Sequence, residues 1–148
     1  MDIVEVVDDE AFTLVDKDIQ VSEGYRRDMY VDSTGHRSIG YGFNIDAGMS
    51  PRVALACQRA AREDAAADLD RQVPWWRDLP LEARRGLLEM AYNLGWPRLS
   101  GFKMTLLALR EGRYDDAAQA AVASTWAVQV GQRAHTIAAR FRSCQPVG

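Results

Sequence analysis

The stretch Ser22-Glu23-Gly24-Tyr25-Arg26-Arg27-Asp28-Met29-Tyr30-Val31-Asp32-Ser33-Thr34-Gly35-His36-Arg37-Ser38-Ile39-Gly40-Tyr41-Gly42 decides how this chain reads. Glu23 stands where a helix would end. Asp32 follows nine residues later behind a short apolar strand, and Ser38 comes six residues after that, near the start of another. Thr34-Gly35 reads as a hairpin turn between residues 28–32 and 37–41. A hairpin holds Asp32 and Ser38 on neighbouring strands, where their side chains can converge. Gly40 and Gly42 remove side chains nearby and leave room for a polymer to approach the backbone. Two carboxyls and a hydroxyl are enough to break a glycosidic bond: a carboxylic acid protonates the leaving oxygen while a carboxylate and a hydroxyl place a water. A polar hairpin beside a helix-end acid would show the same spacing with no chemistry attached.

Outward from the hairpin the pattern becomes helical. Residues 1–9 alternate acids with Ile3, Val4, Val6 and Val7, which suits a short strand or a loose arm over positions 1–10. Ala11 to Ser22 reads as a helix with Leu14, Ile19 and Val21 among its apolar positions. A short third strand is expected near Phe43-Asn44-Ile45. Ser50-Pro51 is a strong helix start, a capping hydroxyl followed by proline at the first helical position. The helix it opens, Pro51 to Gln72, is rich in Ala and Arg and long enough to connect two lobes. Val73-Pro74-Trp75-Trp76-Arg77-Asp78-Leu79-Pro80 ends it. The tryptophan pair there either stacks on sugars or plugs a core, and the plug is the simpler reading. Leu81–Asn93 follows as an apolar helix with Leu87, Leu88, Met90 and Ala91 suited to burial, and further helices are expected at about 100–111, 114–124 and 131–141. The expected architecture is α+β and mainly helical. A helix and hairpin form a lobe over about 11–50, a connecting helix runs over about 51–73, a helical lobe covers about 81–148, and a cleft lies between the lobes.

A chain of 148 residues with 47% hydrophobic and 26% charged residues fits one ordinary domain with a real core. No apolar run approaches the roughly 20 residues that span a bilayer. The start Met1-Asp2-Ile3-Val4-Glu5 lacks the basic region of a secretory signal, so synthesis in the cytoplasm is expected. Charge is uneven: 9 basic and 16 acidic residues through position 80 give −7, and 9 and 5 beyond it give +4. The basic portion could steer an anionic polymer, or be an ordinary solvated surface. The low isoelectric point and the lack of a basic stripe argue against nucleic acid. Cys57 and Cys144 show no metal spacing. Cys57 reads as a small buried apolar residue in a helix, and Cys144 lies near an end expected to fray. His36 and His135 are the only histidines, and no metal site or Ser-His-Asp triad is expected from them.

The hairpin stretch resembles the phage-type lysozymes, the endolysins of glycoside hydrolase family 24. That family carries Glu, eight residues, Asp, five residues and Thr, followed by Ile-Gly-x-Gly, matched here by Glu23, Asp32, Ser38 and Ile39-Gly40-Tyr41-Gly42. Further matches lie at Met90-Ala91-Tyr92-Asn93-Leu94-Gly95 through Gly101-Phe102-Lys103-Met104-Thr105-Leu106-Leu107, at Glu111-Gly112-Arg113-Tyr114-Asp115-Asp116-Ala117-Ala118, and at Gly131-Gln132-Arg133-Ala134 with Arg140-Phe141-Arg142. Together they run from Ile19 to Arg142 in the family's order.

The resemblance implies a muramidase that cleaves the β-1,4 bond between N-acetylmuramic acid and N-acetylglucosamine in bacterial peptidoglycan, with inversion and without a cofactor. Glu23 is then the general acid, needing partial burial to hold its proton. Asp32 is the base or electrostatic partner, and Ser38 holds the water. Asn93, Phe102 and Arg133 are implied to line the substrate site, with Arg133 beside the glutamate. The implied setting is phage-mediated lysis by a monomer without stable membrane association, released to the wall by a separate holin. Two departures stand out. Ser38 replaces threonine, keeping the hydroxyl but losing the methyl that restricts its rotamer. Phe43 stands where a histidine is common. Two other readings remain, a lytic transglycosylase working through one glutamate, and a wall-binding phage module that kept the fold without the turnover.

Overall fold

The computed structural model describes residues 10–144, so the strand or arm expected at the N-terminus lies outside the described residues. The protein is α+β and mainly helical, with eight α-helices and one three-stranded antiparallel sheet among the described residues. It divides into two compact units, Met1–Ala54 and Leu55–Gly148.

In the first unit, α1 (Glu10–Glu23) leads into β1 (Arg26–Val31), β2 (Arg37–Gly40) and β3 (Phe43–Asn44), in the spatial order β1-β2-β3. Helix α1 stops because Gly24 follows it with φ at +65°, while the Gly24 N–H donates to the Gln20 carbonyl at 3.0 Å. This is the usual way a glycine closes a helix, and it fixes Glu23 as the last helical residue. The apolar positions Leu14, Ile19 and Val21 are exposed, and α1 has no buried residue. In the sheet Tyr30 pairs with Ser38 and Ser38 with Asn44, so Ser38 has a neighbour on each side. It is the one buried residue of this unit among those described, 2% exposed. Beyond β3, Asp46 clamps the strand ends together: its carboxylate accepts from the Arg37 backbone N–H at 2.8 Å and from Arg37 Nε at 2.7 Å.

Helix α2 (Pro51–Gln72) begins in the first unit and continues into the second. The Ser50 hydroxyl caps it, accepting from the Val53 N–H at 3.2 Å. The second unit holds a 3-10 turn at Trp76–Asp78 and then α3 (Leu81–Leu94), α4 (Trp96–Leu99), α5 (Lys103–Arg110), α6 (Tyr114–Val122), α7 (Thr125–Val130) and α8 (Gln132–Ser143). Its core gathers Leu69, Trp76, Leu87, Met90, Leu99, Leu109, Ile137 and Phe141, each such side chain contributing roughly 1.5–3 kcal/mol by burial. Glycine at 86 is what lets α3 and α8 meet, because a Cβ there would lie 2.6 Å from Phe141 Cε1.

Several expectations change at this level. The helix expected at 100–111 starts later, since α4 and a turn precede α5, and α7 occupies part of what read as a connection before the last helix. Cys57 is exposed and Cys144 buried, the reverse of the expectation, and both are free. Helix α2 buries only Ala65 and Leu69, near its C-terminal end, which leaves Cys57 in its solvated half. The terminal helix packs Cys144 inward, and burial pushes its thiol pKa up. The tryptophan pair divides its labour: Trp76 is a buried plug, while Trp75 is only partly buried against the core.

Candidate active site

Asp32 begins the tight turn that joins β1 to β2. Its N–H donates to the His36 carbonyl at 2.8 Å, and its carbonyl accepts from the Gly35 N–H at 3.1 Å. One carboxylate oxygen is fully engaged. Oδ1 accepts from the Thr34 N–H at 2.9 Å, the Thr34 hydroxyl at 2.7 Å and the His36 N–H at 2.9 Å. These donors, the Thr34 hydroxyl foremost and then the His36 N–H, hold the carboxyl pKa below its ordinary value. The other oxygen, Oδ2, accepts no hydrogen bond among the described residues. Asp32 therefore stays an anion with one oxygen available.

Strand register places Asp32 and Ser38 on the same side of the hairpin. Tyr30 faces Ser38 across the ladder, and the pairing extends through Asp32 and His36. Residues two apart on a strand share a face, so Asp32 and Ser38 are diagonal neighbours on one side of the sheet. The Ser38 hydroxyl has no hydrogen-bond partner among the described residues. Glu23 approaches the same unit's strand end from α1. A Cβ built on Gly42 would lie 2.5 Å from Glu23 Cδ and 2.6 Å from its Oε2, so the space left by Gly42 is taken by the glutamate carboxyl. Glu23 is exposed, and the partial burial expected for a proton-holding acid is absent. Two exposed rings of the same unit, Tyr25 and Tyr41, meet tilted with centroids 5.6 Å apart.

The residues expected from the second unit fall into two places. Phe102 lines a pocket of about 600 Å³ with Arg98, Lys103, Ser124, Trp126 and Gln129. Arg133 lines a different one of about 290 Å³ with Arg62, Arg85, Glu89, Tyr92 and Arg140, where its guanidinium stands 4.0 Å from the Glu89 carboxylate. Asn93 is tied to the first group through Trp126, whose indole N–H donates to Asn93 Oδ1 at 2.7 Å and whose ring meets Phe102 edge-on at 5.9 Å. Asn93 Oδ1 therefore already holds one hydrogen bond, which fixes the amide and leaves its N–H groups and the second lone pair of Oδ1. Trp126 is the residue the sequence reading missed. The available signal was Ser124, which caps α7 by accepting from the Ala127 N–H at 3.3 Å and so marks a helix start in the supposed connection.

The first unit thus carries an ionised carboxylate, a hydroxyl without a partner among the described residues and an exposed glutamate. Residues 20–142 match the family model described as phage lysozyme, and the chain belongs to that family. It is thereby a peptidoglycan-degrading, glycosidase-type enzyme of the endolysin kind. No curated protein matches the chain. Among the described residues no helix is long and apolar enough to cross a membrane.

Proposed function

We propose that the protein hydrolyses the β-1,4 bond between N-acetylmuramic acid and N-acetylglucosamine, with Glu23 as general acid. The observation that carries this reading is the division of labour in Asp32, whose Oδ1 builds the turn while Oδ2, like the Ser38 hydroxyl on the same side of the sheet, has no hydrogen-bond partner among the described residues. A water held by Ser38 gives up a proton to Asp32 Oδ2 as its oxygen attacks the anomeric carbon. Glu23 delivers its proton to the leaving oxygen, and inversion follows from attack on the face opposite that oxygen. The bound polymer covers Glu23 and removes water from it, supplying on binding the desolvation that the exposed side chain lacks. Asn93, Phe102 and Arg133 bind the polymer. Asn93 donates through its amide, Phe102 presents an aromatic edge, and Arg133 meets a carboxylate or carbonyl. No cofactor takes part, because acid, carboxylate and water complete the reaction. The biological setting is lysis of a bacterial host by phage, with a holin releasing the enzyme to the wall.

Mass spectrometry of purified peptidoglycan digested by the protein tests the reaction. Hydrolysis yields reducing N-acetylmuramic acid ends. Anhydro-muramic ends would replace this reading with a lytic transglycosylase and leave Asp32 and Ser38 without their roles. Folded protein that sediments with the wall and releases nothing would leave a binding module.

A further inference from the structure

We propose that Gly42 is a positioning residue for Glu23, an inference that rests on the reading of Glu23 as the general acid. No hydrogen bond or ion pair holds the Glu23 carboxylate among the described residues. What restrains it is contact: a Cβ on Gly42 would lie 2.5 Å from Cδ, 2.6 Å from Oε2 and 2.8 Å from Cγ of Glu23. The whole carboxyl end thus rests against the Gly42 backbone, in volume that any other residue would fill. The glutamate side chain ends a helix and would otherwise sample many rotamers. The glycine narrows those choices from one side.

Gly40 supplies the comparison within the same stretch. Its φ is +67° against +73° at Gly42, so a side chain strains the backbone similarly at either position. A Cβ on Gly40, however, meets nothing within 4 Å. Alanine at 40 therefore carries the backbone strain alone, and alanine at 42 carries the strain and also evicts the carboxyl. The evicted group is the far end of a flexible exposed side chain, so it swings aside and the sheet survives. The loss falls on chemistry, where a misplacement of about 1 Å costs on the order of 100-fold.

The experiment compares Gly42→Ala and Gly40→Ala in the full chain by thermal unfolding, by kcat and KM on purified peptidoglycan, and by carbon NMR of the Glu23 carboxyl. Both variants should lose similar stability. Gly42→Ala should lower kcat about 100-fold with KM little changed and should shift the Glu23 resonance. Gly40→Ala should leave that resonance in place, any kinetic loss falling on KM. Equal kcat and an unmoved Glu23 signal in the two variants would overturn the proposal. So would a Gly42→Ala chain that fails to fold while Gly40→Ala folds, because a movable carboxyl does not unfold a sheet. If the wild type cleaves nothing, the general-acid reading fails by itself, and the NMR comparison still decides whether Gly42 sets the carboxyl.

Discussion

Asp32 uses its two oxygens differently, and that separates its structural from its chemical contribution. Asparagine keeps a carbonyl oxygen where Oδ1 accepts from Thr34 and His36, so Asp32→Asn should retain the turn while losing the charge. Alanine loses both. The expected outcome is a fall in hydrolysis of about 100-fold or more for each variant, with a lowered unfolding midpoint or weakened sheet signal for Asp32→Ala much more than for Asp32→Asn. Circular dichroism and a release assay check the two halves. Equal midpoints would mean that the turn does not need the carboxylate oxygen. The spacing of Glu23, Asp32 and Ser38 was legible at this scale because all three lie in one local hairpin and helix end, where sequence distance fixes spatial distance. The hydrogen bond into Asn93 Oδ1 was not legible. Its donor Trp126 sits 33 residues away, and only the packing of separate helices makes them meet.

Among the elements, the junction after α2 shows how a buried ring and an exposed ion pair can share one carboxylate. Asp70 accepts from Arg77 Nε at 2.7 Å and Nη2 at 3.0 Å, and from the buried Trp76 indole at 2.7 Å. The Arg77 hydrogen bonds foremost, then the indole, lower its pKa to about 2 from the ordinary 3.8. A depressed carboxyl stabilises the fold above its unfolded pKa and ceases to do so as pH falls through its folded one. The margin in unfolding midpoint of wild type over Asp70→Asn should therefore be constant above about pH 5 and close between about pH 4 and pH 2. Added salt should shrink it, since the arginine is exposed. A margin independent of pH down to 2 would show that Asp70 acts only as a neutral acceptor. The α2 boundaries were legible because Ser50-Pro51 caps the start and Val73-Pro74 stops the end. The division of the later helices was less so. Helix α4 is only Trp96–Leu99, too short to show a helical period, and α7 is hidden behind an ordinary-looking Ser124-Thr125.

Across the whole molecule, the two units differ in what holds them. The second has a continuous core of buried aliphatic and aromatic residues. The first, among its described residues, buries only Ser38 and depends on strand pairing and on the carboxylate-anchored turns at Asp32 and Asp46. Every proposed catalytic group lies in that first unit, while the proposed polymer-binding residues lie in the second. Overall fold class was legible because amphipathic helices and a glycine-marked hairpin have distinct periods. The swap of Cys57 and Cys144 between surface and core was not, since an alanine-rich helix does not declare which face it buries. The central claim, that Glu23 supplies the proton, is tested most directly by the turnover of Glu23→Gln on purified peptidoglycan beside wild type, with fold and wall binding measured on the same samples. Turnover should fall about 1000-fold or more with both intact. A glutamine variant that still cleaves at the wild-type rate would contradict the claim.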